Sequence, residues 1–418
     1  MNIESLLCEE TLAQVERIGR ADILVGIPSY NNAGTIAHVV RTAAEGMARY
    51  FPGLKAVLVN SDGGSPDGTM QVVKQTPVPP GVEKIVTRYV GPSGKGSAFR
   101  TIFVIAQALE VKACVVVDSD LRSIAPWWIE HLAAPIIRGE SDYVTPYYIR
   151  HKYDATITNN ICYPMTRALY GIDIRQPIGG DFGVAPWLVT KYLGKPVWDT
   201  DVARYGIDIW MTTTAVCEGA RVCQTHLGVK VHDVKDPAAT LGPMFRQVVG
   251  TLFSLMSTYE EEWKAAKGVK STAFYGEPME QEPPPVQVTL PAMIAKLKEG
   301  LAELEGLWGR ILTPENLTEV KRIAALPEAD YSFPAGLWAK VVYDFAVAYN
   351  KRGTCRNLET SPNEVIAAMT PLYYGRTAGL VVESRDMDAA TFEEQVVRSQ
   401  AKLFGDLKPY LVQRWGQE

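Results

Sequence analysis

Between Ile23 and Val117, short apolar runs alternate with segments whose apolar residues recur at helical spacing, and this alternation limits the fold more than any other feature. Ile23-Leu24-Val25-Gly26-Ile27 is followed by Thr35 to Tyr50 with a helical period, then by the apolar run Ala56 to Val59. The pattern continues with Thr69 to Lys74 as helix, Lys84 to Tyr89 as strand, Gly96 to Leu109 as helix and Ala113 to Val117 as strand. Strands joined through helices predict a mostly parallel sheet covered on both faces. Sheets of that kind take ligands beyond the carboxyl ends of their strands.

Each strand runs into a polar loop: Pro28-Ser29-Tyr30-Asn31-Asn32, Asn60 to Gly68, Gly91 to Gly96, and Asp118-Ser119-Asp120. These loops should build the active crevice. Val115 to Leu121 is the most informative segment, because a buried strand there delivers two carboxylates one residue apart. Hard oxygen ligands of this sort suit Mg²⁺ or Mn²⁺ held between carboxylates and substrate phosphates. Taken alone, the same Asp-x-Asp fits a solvated turn or a helix cap.

Gly91 to Ser97 combines flexible backbone, able to turn N–H groups toward an anion, with Lys95 at the start of a helix. It is not a Walker A loop, since only Pro92 and Ser93 separate Gly91 from Gly94, and no GxGxxG follows the first strand. Lys95 reads either as facing a nucleotide diphosphate or as a solvent lysine. In Asn60 to Thr69, Asp67 fits a helix N-cap, and Asp62 either accepts from a base or ribose donor or stands in solvent. Pro28, Ser29, Tyr30 and Asn32 would complete the base and ribose wall. Gln176 to Phe182 and Tyr205 to Ile209 add Asp181 and Asp208 in glycine contexts. Leu227 to Val234 turns from apolar to polar around His232, a residue type that is usually structural when it stands alone.

With 418 residues the chain exceeds the ~250 at which single cores stop growing, so more than one domain is expected. Forty-two basic against 47 acidic side chains give a net charge of −5, which offers no general attraction to nucleic acid or an anionic membrane. No apolar run approaches the ~20 residues of a membrane span, and the acidic start (Glu4, Glu9, Glu10) is the reverse of a secretory signal. Cys8, Cys114, Cys162, Cys217, Cys223 and Cys355 lack a CxxC pair and read as reduced thiols, which places the chain in the cytoplasm. An N-terminal helix is expected within residues 1–20, a sheet domain over 21–265, a linker over 266–290 around Pro283-Pro284-Pro285, and a helical domain over 291–418. Met244 to Trp263, Pro291 to Trp308, Pro314 to Leu326, Ala335 to Tyr349, Pro362 to Thr370 and Ala389 to Leu411 are its expected helices and the one before the linker. The aromatic-rich stretches Phe333 to Tyr349 and Pro371 to Tyr374 read either as core or as the interface of a homodimer formed through this domain.

Taken in order, these blocks resemble nucleotide-sugar glycosyltransferases of the GT-A fold. They look most like the retaining group that contains glucosyl-3-phosphoglycerate, mannosylglycerate and glucosylglycerate synthases. The resemblance implies an α/β, Rossmann-like sheet with a helical C-terminal domain, a donor half over 21–140 and an acceptor half over 141–265. It implies that Asp120 and His232 ligate a divalent ion together with both donor phosphates, and that Asp118 faces the ribose within the loop that includes Ser119. Lys95 and Asp62 would contact the nucleotide, Gly179 and Gly180 would leave room beside the donor sugar, and Asp208 would lie near the reacting sugar. Asp208, Asp181 and Lys95 are then the candidate catalytic groups. Phosphoglycerate-using enzymes hold the acceptor phosphate with a glycine-rich turn carrying arginine and threonine, whereas Asp154 to Cys162 has neither glycine nor arginine. Arg150, Thr156 and Asn160 are the candidates to hold a small carboxylate, with Arg150 alternatively a surface cation. The expected reaction moves glucose or mannose from a UDP- or GDP-sugar to glycerate or 3-phosphoglycerate, giving a compatible-solute-type glycoside. A transferase for lipid or polysaccharide, a metal-dependent nucleotidyltransferase and an inactive sugar-nucleotide-binding scaffold are the other readings.

Overall fold

The computed structural model describes residues 6–232, 237–351 and 359–416; Asp233, Val234 and Cys355, and residues 1–5 of the expected N-terminal helix, lie outside them. The chain divides into two compact units. One, the sheet unit, comprises Met1–Arg150, Gln176–Val234 and Thr272–Pro284; the other, the helical unit, comprises His151–Arg175, Lys235–Ser271 and Pro285–Glu418. The expected boundary in 266–290 is therefore one of several crossings, and 151–175 and 235–265, expected in the sheet domain, group with the helices, as does 266–271 of the expected linker. Burial explains the first of these reassignments: Tyr163 joins Leu380, Phe392, Val396, Val397 and Ala401 in one apolar cluster.

Eight strands form the central sheet: β1 (Ile23–Ser29), β2 (Ala56–Asp62), β3 (Val82–Arg88), β4 (Ala113–Val116), β5 (Tyr143–Ile149), β6 (Phe182–Val184), β7 (Val222–Val229) and β8 (Ala273–Tyr275). Their order is β8-β7-β5-β6-β4-β1-β2-β3. All pairs are parallel except those of β6, which runs antiparallel to both β4 and β5. Every residue of β1, β2 and β4 is buried, as a parallel sheet covered on both faces requires. Each fully buried Val, Leu or Ile there contributes roughly 1.5–3 kcal/mol. The helix Lys95–Ala108 approaches β1 so closely that a Cβ on Gly26 would lie 2.4 Å from Ile102. The edge strand β3 carries charged Glu83, Lys84 and Arg88, a pattern that discourages further pairing. Its Glu83 accepts from Arg17 of the helix Glu9–Ile18 at 2.9 Å.

In the helical unit, Leu290–Ile311, Pro314–Ala324 and Ala335–Asn350 match the expected helices within a few residues. The helix expected to stop at Thr370 runs through Pro371 to Glu383. Proline in a helix interior costs about 3 kcal/mol, and packing offsets it here. A Cβ on Gly300 would lie 2.3 Å from Pro371, and Trp308 Nε1 donates to the Ala368 carbonyl in the preceding turn at 2.9 Å. The expected helix Ala389 to Leu411 is instead a short turn, a π-helical stretch Phe392–Arg398, and the helices Ser399–Asp406 and Lys408–Trp415. Met244 to Trp263 is likewise divided, into Pro237–Thr258 and Glu260–Ala265. Phe333, Trp338, Tyr343, Phe345, Tyr373 and Tyr374, named above as core or interface, are buried inside this unit. Among the described residues no helix is long and apolar enough to cross a membrane.

Candidate active site

The loops at the carboxyl ends of β1, β2 and β4 are tied to one another by side chains. Asp67 Oδ2 accepts from Ala33 N at 3.0 Å, and its Oδ1 accepts from Thr69 Oγ1 at 2.6 Å. These bonds, the Thr69 hydroxyl first, hold its carboxyl below the ordinary range. Asn32 Oδ1 accepts from Tyr30 N at 3.0 Å and from Ser119 Oγ at 2.8 Å, so the expected wall residues are linked to the Asp-x-Asp loop. Pro28 and Ser29 complete buried β1, and the Tyr30 ring is 58% exposed at its end.

Asp62 is placed differently from the expectation. Its carboxylate is fully buried and accepts from Ser29 Oγ (2.6 Å), Ser65 Oγ (2.8 Å), Gly64 N (2.8 Å) and Ser65 N (2.7 Å). Four donors occupy both oxygens, so Asp62 shapes the loop that lines the crevice and has little capacity left for a base.

Lys95 opens the helix Lys95–Ala108 on the expected turn. A Cβ on Gly96 would lie 1.8 Å from the Val202 carbonyl oxygen, and Gly96 N donates to Arg204 O at 3.2 Å. That close approach sets Lys95 Nζ 2.8 Å from Asp118 Oδ1 and 3.2 Å from both oxygens of Asp208. Burial opposes the ammonium charge, but Asp118 and then Asp208 more than offset it and hold its pKa above the ordinary lysine value.

Asp118 is held on its other side by Lys230, a residue to which the sequence blocks assign no role. Lys230 Nζ lies 2.9 Å from Asp118 Oδ2, 2.9 Å from Asp181 Oδ2 and 2.8 Å from the Gly179 carbonyl. Asp181 also accepts from Asp118 N (2.8 Å) and Tyr148 Oη (2.6 Å). Topology explains the meeting: antiparallel β6 begins beside the end of β4, where Phe182 pairs with Val116, so Asp181, just before it, stands beside Asp118, which follows β4. The available signal was a lysine set between valines at the end of an apolar run. Asp118, expected to face a ribose, has both oxygens on lysines in this structure.

Gly179 and Gly180 also differ from the expectation of open space beside the sugar. A Cβ on Gly179 would lie 2.2 Å from Pro146, and one on Gly180, at φ +92°, would lie 2.2 Å from Asp118 Oδ2 and 2.9 Å from Lys230 Nζ. Gly179 makes room for Pro146, and Gly180 for the protein's own ion pair. Asp208 sits in the first turn of the helix Ile207–Cys217, with Oδ1 buried and accepting no hydrogen bond from a described residue. Burial raises its pKa against the pull of Lys95.

Asp120 accepts no hydrogen bond from a described residue. Burial first, then the charge of Asp118, raises its pKa, while Lys230 and His232 oppose the shift. A guanidinium nitrogen of Arg150 lies 3.1 Å from His232 Nε2. A carboxylate in an anionic field and an imidazole that already faces a cation fit a divalent ion. Among the described residues no three Asp, Glu, His or Cys side chains converge on one metal position, so further ligands would come from substrate phosphates and water. The remaining acceptor candidates are spent elsewhere: Thr156 Oγ1 is 2.5 Å from Tyr373 Oη, and buried Asn160 accepts from Trp338 Nε1 at its carbonyl, both inside the helical unit. The Thr156 hydroxyl is bonded within that unit, and Asn160 is fully buried there.

A mostly parallel sheet with one antiparallel strand, and an Asp-x-Asp loop with lysines against it at the carboxyl edge, define the GT-A glycosyltransferase fold. The chain is homologous to glucosyl-3-phosphoglycerate synthases. It is 26% identical over 271 residues to that of Mycobacterium tuberculosis, covering 58% of this chain and 76% of the relative, and 26% identical over 270 residues to that of Mycolicibacterium paratuberculosis, covering 58% and 75%. Those relatives are glycosyltransferases, and the homology agrees with the resemblance read from the blocks. Crystal structures of the M. tuberculosis enzyme with Mg²⁺ and UDP, and with Mn²⁺, UDP-glucose and phosphoglyceric acid, are each 24% identical with a TM-score of 0.46, covering 58% of this chain and 82% of theirs. No family model matches the chain.

Proposed function

We propose that the chain is a metal-dependent, retaining glycosyltransferase that moves glucose or mannose from a uridine or guanosine diphosphate sugar to D-glycerate or 3-phosphoglycerate. The observation that carries this reading is Lys95 lying between Asp118, the first carboxylate of the Asp-x-Asp loop, and Asp208, at the carboxyl edge of the sheet. The names of the homologues favour glucose as the sugar.

Cleaving a sugar–phosphate bond leaves a nucleoside diphosphate whose developing charge must be stabilised. Lys95 supplies an ammonium for that charge. Asp208, which faces the Lys95 ammonium at 3.2 Å through both oxygens, holds donor hydroxyls in place. Asp120 and His232 would hold the divalent ion, which when bound draws negative charge from the leaving diphosphate. A covalent sugar intermediate would need a carboxylate able to attack. Asp118 and Asp181 are bound to lysine and Asp208 faces Lys95 through both oxygens, so attack by the acceptor on the face of departure is favoured. With Thr156 and Asn160 buried in the helical unit, Arg150 remains to hold the acceptor carboxylate.

The test is a product-release assay across UDP-glucose, GDP-glucose and GDP-mannose with D-glycerate and 3-phosphoglycerate, with and without Mg²⁺ or Mn²⁺. Acceptor-dependent release of nucleoside diphosphate that requires metal is expected. Pyrophosphate release would identify a nucleotidyltransferase instead, and turnover confined to lipid or polysaccharide acceptors would overturn the acceptor assignment.

A further inference from the structure

We infer that the two lysines of the site divide their work: Lys230 is a fixed internal countercharge that stays paired with Asp118 and Asp181, so that Lys95 can leave Asp118 for an incoming diphosphate. This rests on the function proposed above and names Lys230 as a positioning residue for it.

The geometry separates the two ammonium groups. Lys230 makes three contacts of 2.8–2.9 Å, to Gly179 O, Asp118 Oδ2 and Asp181 Oδ2, with a side chain only 5% exposed. Its Nζ also stands 5.1 Å from the centre of the Tyr148 ring, and a Cβ on Gly180 would come within 2.9 Å of it. With three short contacts and so little exposed surface, this ammonium is largely enclosed by protein. Lys95 is more exposed, at 14%; its contact with Asp118 is as short, at 2.8 Å, but its other contacts are longer, 3.2 Å to Asp208 and 3.5 Å to the Gly180 carbonyl.

Asp118 is the hinge of the argument, because it touches both lysines through different oxygens. When Lys95 turns to a diphosphate, Asp118 keeps its contact with Lys230, an ammonium it shares with Asp181, and is not left as a buried charge without a partner, which would be costly. Without Lys230, Lys95 would be the only ammonium in contact with Asp118, and phosphate would have to compete with a partly buried carboxylate for it. No proton or electron changes place in this account; one ion pair is exchanged for another.

The test is equilibrium titration of full-length wild-type, Lys230→Met, Asp118→Asn and doubly substituted protein with uridine diphosphate and guanosine diphosphate, each with Mg²⁺, beside donor KM and kcat. Lys230→Met is expected to weaken nucleotide binding roughly tenfold or more and to raise donor KM more than it lowers kcat. Adding Asp118→Asn to it should bring affinity back to within about threefold of Asp118→Asn alone, because coupled neighbours depart from additivity. A purely structural lysine would not be rescued by removing the charge it pairs. Should Lys230→Met fail to fold, the Asp118→Asn and double variants are compared directly: agreement within threefold supports the division, and a tenfold loss in the double overturns it. Wild-type affinity in Lys230→Met overturns it, as does an Asp118→Asn protein that binds neither nucleotide, since Asp118 would then be reading the ligand itself. A wild-type chain that binds neither nucleotide fails before any variant is compared, and marks failure of the parent function.

Discussion

A guanidinium nitrogen of Arg150 stands 3.1 Å from Nε2 of His232. That nitrogen of the expected metal ligand therefore faces a side-chain cation, and an ion bound to it would displace the guanidinium. Arg150→Gln is expected to tighten Mn²⁺ binding by roughly fivefold, the low end of ordinary coupling free energies, while raising KM for a carboxylate acceptor. Calorimetric titration with Mn²⁺ in the presence of nucleoside diphosphate checks the first effect; unchanged affinity would show that the pair does not compete with metal.

Lys95→Met removes the ammonium placed between Asp118 and Asp208. Loss of one preorganised group that stabilises developing charge costs on the order of 10²–10³ in kcat. Steady-state nucleoside diphosphate release is the measurement, and a variant retaining more than a tenth of the wild-type rate contradicts the role given to Lys95.

Gly180→Ala should damage both fold and site. Its φ of +92° disfavours any side chain, and the added methyl would lie 2.2 Å from Asp118 Oδ2. A cost of about 1–3 kcal/mol is expected, read as a lower thermal midpoint, with weakened nucleotide binding because Asp118 and Lys230 must move apart.

Thr156→Val should leave acceptor KM unchanged, since the Thr156 hydroxyl is bonded to Tyr373 Oη within the helical unit. Leaving that buried phenol without its partner is expected to cost about 1–3 kcal/mol. Urea unfolding measures the loss; a large rise in acceptor KM would return Thr156 to the acceptor site.

Asp142 receives Arg221 N, Nε and a terminal guanidinium nitrogen at 2.8–2.9 Å, joining the starts of β5 and β7. The Arg221 side chain first, against burial, lowers its pKa to about 2. A depressed carboxyl contributes stability that is complete above its unfolded value near ~4 and is lost as pH falls toward the folded one. Wild-type and Asp142→Asn proteins should therefore differ in unfolding midpoint at pH 7 and converge between pH 4 and 2. A gap that persists at the lowest pH would assign the difference to packing.

Local pattern carried much of the architecture. β1, β2 and β4 and the helices between them were legible because burial on both faces demands unbroken apolar runs and helices demand their own period, so boundaries fell within a few residues. The helix expected over Pro362 to Thr370 continues past Pro371 to Glu383, and the close approach of Pro371 to Gly300 is a property of two helices together.

Residue types, order and spacing were sufficient to identify the loops that bear the chemistry, since an Asp-x-Asp after a buried strand and a lysine at a helix start are local arrangements. The partners of those groups were settled only by tertiary structure. Asp62 turned inward to four donors, Thr156 and Asn160 went to the helical unit, and Lys230 met Asp118 and Asp181 because an antiparallel strand inserted between parallel ones brings residues far apart in the chain to one edge. A charge declares its type in the sequence, but which opposite charge compensates it depends on distance and burial, and those exist only once the sheet has closed its order.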